Sequence, residues 1–141
     1  MSFEEKNTWV FLVVSLLGAA TYAALLAVRA HGVPLPDVSY VGPMLSTIGA
    51  AVLAGVVGTA IVAFGNPTEA GQKDARDVEI HRFGMNVGQS FLVIGGVVAL
   101  GLAMAEVRHF YIAQVLYSGF VLSALVGSVS RLVMYRRGVP R

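Results

Sequence analysis

Four long apolar runs, broken by small, hydroxyl-bearing or amide side chains and, near the end of the fourth, by Arg131, alternate with three short polar stretches along the chain. Hydrocarbon about 30 Å thick, crossed at about 1.5 Å per residue, needs roughly 20 apolar residues as helix. The pattern therefore predicts membrane-spanning helices over residues 9–28, 44–64, 84–105 and 110–135. Ser15, Thr21 and Tyr22 in the first run are residues that a helix carries in lipid. Ahead of that run, Ser2 and Glu5 have the spacing of a capping box, in which each side chain serves the other residue's amide.

The connections follow from proline, glycine and charge. Pro34 and Pro36 each remove an amide donor and restrict the residue before them, so the chain between the first two runs is a loop. Pro43 suits the first turn of the second helix, and Gly65-Asn66-Pro67 ends that helix. A tight turn at Glu106-Val107-Arg108-His109 joins the third span to the fourth. The polar segment 68–83 is of another character. It is predicted to be amphipathic, with Asp74 capping a short helix that runs directly into the third span and with Val78, Ile80 and Phe83 as apolar contacts at the membrane surface.

Composition narrows the function classes. With 56% apolar and 13% charged residues and a mean hydropathy of +0.73, lipid is the solvent, and the spans leave no room for a soluble catalytic domain. The fold expected is an all-α integral membrane protein, one membrane domain over residues 1–141 built as a four-helix bundle. Its halves share an outline of charged stub, helix, turn and helix, which leaves open a repeat of two parallel hairpins. The first apolar run is expected to be a retained helix and not a cleaved signal. There is no cysteine, which removes thiolate metal sites and cysteine nucleophiles. The basic residues flank spans and form no separate patch, so nucleic acid is not an expected partner.

Orientation follows from lysine and arginine, which short loops retain on the cytoplasmic side. Lys6, Lys73, Arg76, Arg82, Arg131, Arg136, Arg137 and Arg141 fall on one side, and only Arg29 and Arg108 on the other. Both termini and segment 68–83 are therefore expected in the cytoplasm.

Within that segment, Asp74, Arg76, Asp77, Glu79, His81 and Arg82 form the candidate contact for a cytoplasmic protein partner. The bland alternative is a solvated helix with Arg76 and Arg82 at the lipid headgroups. Asp77 and His81, four residues apart on one helical face, are two potential metal ligands with Glu4 or Glu5 as a third; such pairs are common by chance, and no metal is expected. Glu106, Arg108 and His109 invite a catalytic role at the outer face, but an ion pair between Glu106 and Arg108 in a polar turn explains them more simply.

No Asp, Glu, Lys or His falls within the spans, and Arg131 stands near enough to an end to reach the interface. Ion-coupled transport needs an ionisable group in the membrane and haem needs axial ligands at facing depths, so neither is expected, and no cofactor is. Polar span residues should bond between helices; Asn86, Gln89 and Gln114 are the candidate polar pocket for a lipid or small ligand. Small residues recur at spacings of four: Ala51, Gly55 and Thr59; Ala54 and Gly58; Ser123 and Gly127. They allow close helix packing, within this chain or against another.

Lys73-Asp74-Ala75-Arg76-Asp77, followed by Ile80 and Gly84, resembles the Asp-x-Arg-Asp motif that precedes the third helix in a family of small four-helix bacterial membrane proteins of unknown function. Residues 120–128 and Tyr135-Arg136-Arg137-Gly138 are similar to that family too, so the likeness covers mainly residues 73–138. Ala75 departs from it, standing where those proteins usually carry an acid. The resemblance implies a bacterial plasma-membrane protein and carries over no activity. The expected function is that of a non-enzymatic accessory subunit that binds partners, self-associating or joining another membrane protein. The alternative is a small oligomeric channel or carrier for an uncharged or lipid-like substrate.

Overall fold

The computed structural model describes residues 2–138 and contains four long α-helices. They are α1 (Phe3–Arg29), α2 (Val41–Gly65), α3 (Ala75–Met104) and α4 (His109–Arg137), with a single 3-10 turn at Leu35–Asp37. Each is long and apolar enough to cross a bilayer, so the chain is an all-helical, multi-pass membrane bundle. Arg141 and the two residues before it, in the basic tail, lie outside the described residues.

The helices outrun the apolar windows because their polar ends continue the same backbone ladder beyond the hydrocarbon. α1 begins at Phe3, six residues before the first apolar run, where the Ser2 hydroxyl accepts from the Glu5 amide at 3.1 Å. Residues 75–83 and the third span form one uninterrupted helix of 30 residues, about 45 Å long at the standard rise. Of the predicted amphipathic segment, residues 68–74 form turns and loop. Hydroxyls inside the spans bond back to their own helix: Thr21 to the Leu17 carbonyl at 2.8 Å, Thr47 to that of Pro43 at 2.7 Å. In lipid this satisfies a donor that water cannot reach.

Helix order is α2–α1–α4–α3. α3 and α4 share the most extensive interface, α1 packs on both α2 and α4, and α2 and α3 flank this central pair. A repeat of two hairpins related by a two-fold axis would match the α1–α4 contact with one between α3 and α2, which is not among the packed pairs of the described residues. Glycine sets the closeness of α3 and α4. A Cβ at Gly88 would lie 2.7 Å from the Ser123 carbonyl oxygen, and one at Gly95 3.1 Å from the Gly119 Cα. The α1–α2 contact uses Gly18 against Ala51, Phe11 over Gly55 and a 2.7 Å hydrogen bond from Thr59 to Asn7.

Residues 2–6, the 66–74 connection and the last turns of α4 meet at one end of the bundle, the basal end, where Lys6 donates to the Asn66 side chain at 3.2 Å and Lys73 lies 3.9 Å from Glu4. At the opposite, distal end, Tyr40 packs edge-on against Phe110, ring centroids 5.4 Å apart. The ion pair there differs from expectation. Arg108 pairs with Asp37 at 2.7 Å, not with Glu106, so it fastens the α1–α2 loop to the α3–α4 turn. Glu106 instead occupies the left-handed position (φ 56) of a Schellman cap: its amide donates to the Ala103 carbonyl and that of Val107 to Leu102, both at 3.1 Å.

Candidate functional site

At the basal end, the start of α3 is built by its own acids. The Asp77 amide donates to Asp74 at 2.7 Å, and the Asp74 amide donates to the Asp77 carboxylate at 3.4 Å, a reciprocal capping box. Asp77 also accepts from the Tyr135 hydroxyl at 2.9 Å, while Arg76 donates to the Tyr135 carbonyl at 2.9 Å. That carbonyl lies in the last turn of α4, where helical acceptors go unserved, so Arg76 acts as a C-terminal cap in trans. Of the six candidate partner-contact residues, Arg76 and Asp77 are thus engaged in joining α3 to α4, and Asp74 in capping α3. Glu79 and Arg82 are exposed, and half-buried His81 turns toward a cleft. Among the described residues no three of His, Asp and Glu converge as a metal site.

The cleft exists because α2 and α3 stand apart on either side of α1 and α4. Its larger part, about 870 Å³, lies between α1, α2 and α4 and is almost wholly apolar: Phe11, Ala51, Val52, Val56, Phe120 and Val121 form much of the wall, with the Thr59 hydroxyl at the basal end and those of Thr47 and Tyr117 further in. Its smaller part, about 570 Å³, lies between α1, α3 and α4 in the basal half and is more polar, with His81, Gln89, Ser123, Ser128 and Arg131 among its residues. Phe11, Ser15 and Ala124 line both, so the two parts adjoin.

Arg131 does not run out along the outside of α4 as its place near the helix end suggested. Its side chain crosses Gly84, where a Cβ would fall 2.4 Å from the arginine Cγ, and its Nε is buried with no hydrogen-bond partner among the described residues. No carboxylate among them lies within salt-bridge distance of it. The neighbouring imidazole of His81, which precedes the third apolar span, responds. Burial, and then the charges of Arg131 and Lys73, lower its pKa from the ordinary histidine value.

The three residues expected to share a polar pocket have separate surroundings. Gln89 lines the smaller cleft. Gln114, near the distal end of α4, accepts a 2.6 Å hydrogen bond from Tyr22 of α1, whose ring lies tilted by 50° against that of Tyr117, centroids 4.4 Å apart. Asn86 is exposed on α3, its carbonyl accepting from the Ser90 hydroxyl at 3.1 Å. The residue that sequence reasoning passed over was Arg131. A cation inside an apolar run, with glycine at the facing positions 84 and 127, was the signal available.

The structure also divides the small residues. Ala51, Gly55, Gly84, Gly88, Gly95, Gly119 and Gly127 are consumed by contacts within the chain, whereas Gly49, Gly96 and Gly101 have open space before them. On α2, Ser46, Ala50 and Ala54 are exposed at spacings of four. Comparison with family models, with curated proteins and with solved structures finds no match for this chain.

Proposed function

We propose that this chain is a non-enzymatic membrane subunit that works by association, joining a second copy of itself or another membrane protein through α2. The observation that carries this reading is the exposed stripe Ser46, Ala50 and Ala54 on a helix whose one main neighbour is α1. In lipid, helices gain no hydrophobic drive from meeting, so small residues in register matter because they let backbones approach. At the α3–α4 interface Gly84, Gly88, Gly95, Gly119 and Gly127 are already used within the chain; on α2 the stripe stands free. The basic residues that flank the spans support a cytoplasmic basal end, and the resemblance to bacterial four-helix proteins supports a plasma-membrane location.

The test is single-molecule photobleaching of the labelled chain in lipid bilayers at increasing protein-to-lipid ratio. Multi-step bleaching that Ala50→Ile reduces to single steps is the expected outcome. Wild-type protein that stays monomeric and purifies from native membranes without a stoichiometric companion would sink the proposal.

A second reading, a carrier for an uncharged or lipid-like substrate, is favoured by the open apolar cleft, whose walls of α1, α2 and α4 accommodate a hydrocarbon chain. Flux across liposomes that falls on narrowing the cleft, as in Ala51→Phe, would favour it over association.

A further inference from the structure

The cleft pairs two features: an arginine with no carboxylate among the described residues within salt-bridge distance, and an apolar channel leading away from it. Burying a guanidinium nitrogen without a partner costs free energy, and among the described residues no carboxylate stands within salt-bridge distance of Arg131: Asp74 and Asp77 serve the α3 cap, Asp37 pairs with Arg108, and Glu4, whose charge does reach Arg131, lies on Lys73. Arg131 stands six residues before the end of α4, about 9 Å along the helix axis, which is the depth of a headgroup and not of the hydrocarbon centre. The same end carries both the exposed Arg82, Arg136 and Arg137 and the acids Glu4, Asp74, Asp77 and Glu79, but the wall of the smaller cleft itself holds Arg131 and no carboxylate among the described residues, which suits an anion.

From this geometry we infer that the smaller cleft holds one anionic phospholipid, its phosphate on the Arg131 guanidinium and an acyl chain passing Phe11 into the larger apolar part. Arginine's planar fork matches two phosphate oxygens at once, and basic pockets between membrane helices recognise headgroups in this way. Ser128 and His81 stand beside the cation in the same wall, and Phe11 and Ala124 link the two parts of the cleft, so that headgroup and chain have continuous surfaces to follow. The site shares no residue with the Ser46–Ala50–Ala54 stripe and stands or falls apart from the association reading.

The experiment is thermal unfolding of the full chain in neutral-detergent micelles doped with dioleoyl phosphatidylglycerol, dioleoyl phosphatidylcholine, oleate or inorganic phosphate. Phosphatidylglycerol should raise the midpoint saturably where the zwitterionic lipid, oleate and free phosphate at equal concentration do not. Arg131→Gln should weaken that response by about tenfold or more, the loss expected of one charge-assisted contact, while Arg29→Gln at the distal end, which removes the same charge far from the cleft, retains it. Equal effects of the two lipids, or equal losses in the two variants, overturn the inference. Oleate acting as well as phosphatidylglycerol overturns the phospholipid assignment. Should Arg131→Gln fail to fold, the wild-type chain is irradiated with phosphatidylglycerol carrying a diazirine in its acyl chain. Adducts on Phe11, Leu92 or Ala124 support the site, and adducts confined to the outer face of α2 refute it.

Discussion

Adding one methyl group at Gly88 and one at Gly96 should move stability in opposite directions, although both glycines lie in the same helix. At Gly88 the new Cβ would meet the Ser123 carbonyl oxygen at 2.7 Å and its hydroxyl at 3.1 Å. Carbon and carbonyl oxygen approach no closer than about 3.3 Å across helix interfaces, so α4 would have to retreat by about 0.6 Å. Retreat is opposed on both sides. Four residues earlier a Cβ at Gly84 would already be 2.9 Å from the Gly127 carbonyl, and seven residues later Gly95 and Gly119 are in backbone contact. Overpacking of this kind costs about 1–3 kcal/mol, from which the usual gain of alanine over glycine in a helix, about 0.5–1 kcal/mol, is to be subtracted. Gly88→Ala should thus lose up to about 2.5 kcal/mol, centred on about 1 kcal/mol. Gly96 has nothing within 4 Å of its Cβ position, so Gly96→Ala should keep the helix gain alone. Reversible unfolding in mixed micelles, followed by circular dichroism and by the single tryptophan, reports both. A Gly88→Ala variant as stable as Gly96→Ala would refute the claim that glycine sets the α3–α4 distance.

Two further outcomes follow from the ends of the bundle. Glu106 is held at φ 56, where an ordinary L-residue costs about 1–2 kcal/mol relative to glycine, so Glu106→Gly should raise stability by up to about 1 kcal/mol in the same unfolding assay; a lowered midpoint would mean that the Glu106 side chain contributes something the cap geometry does not reveal. Because the chain has no cysteine, Lys73→Cys introduces the one thiol, at a half-exposed basal position. A membrane-impermeant maleimide should label it in inverted vesicles and not in intact cells, and the reverse pattern would invert the proposed orientation.

The spans were legible because bilayer thickness imposes a length on apolar runs, and the Asp74 cap was legible because a short acid before a helical pattern has few other uses. What escaped was whatever depends on which helix faces which. Ala51, Gly55 and Thr59 read from sequence as a small face without an assigned partner, and Ser46, Ala50 and Ala54 do not stand out as a set at all; only the packing of α1 on the first set shows the second to be uncovered. The expected Glu106–Arg108 pair lost to Asp37, 71 residues from Arg108, because the left-handed backbone at Glu106 serves a helix cap and the loop of the first hairpin reaches the distal turn. Gln114 reads as a pocket residue until Tyr22, 92 positions away, is placed against it. The cleft has no local signature at all: it results from α2 and α3 not meeting.

The contact between α1 and α4 also sets a schedule for biogenesis. Tyr22 leaves the ribosome early and Gln114 late, so the face of α1 that will receive α4 waits in the membrane while most of the chain is still being made. During that interval α1 has α2 to pack on, while the interface that centres the bundle has only one of its two sides. The last of these four helices to be made is therefore the one that completes the bundle, and a chain truncated before α4 would keep the α1–α2 hairpin, leave α3 without the helix it packs on and lack the middle of its fold.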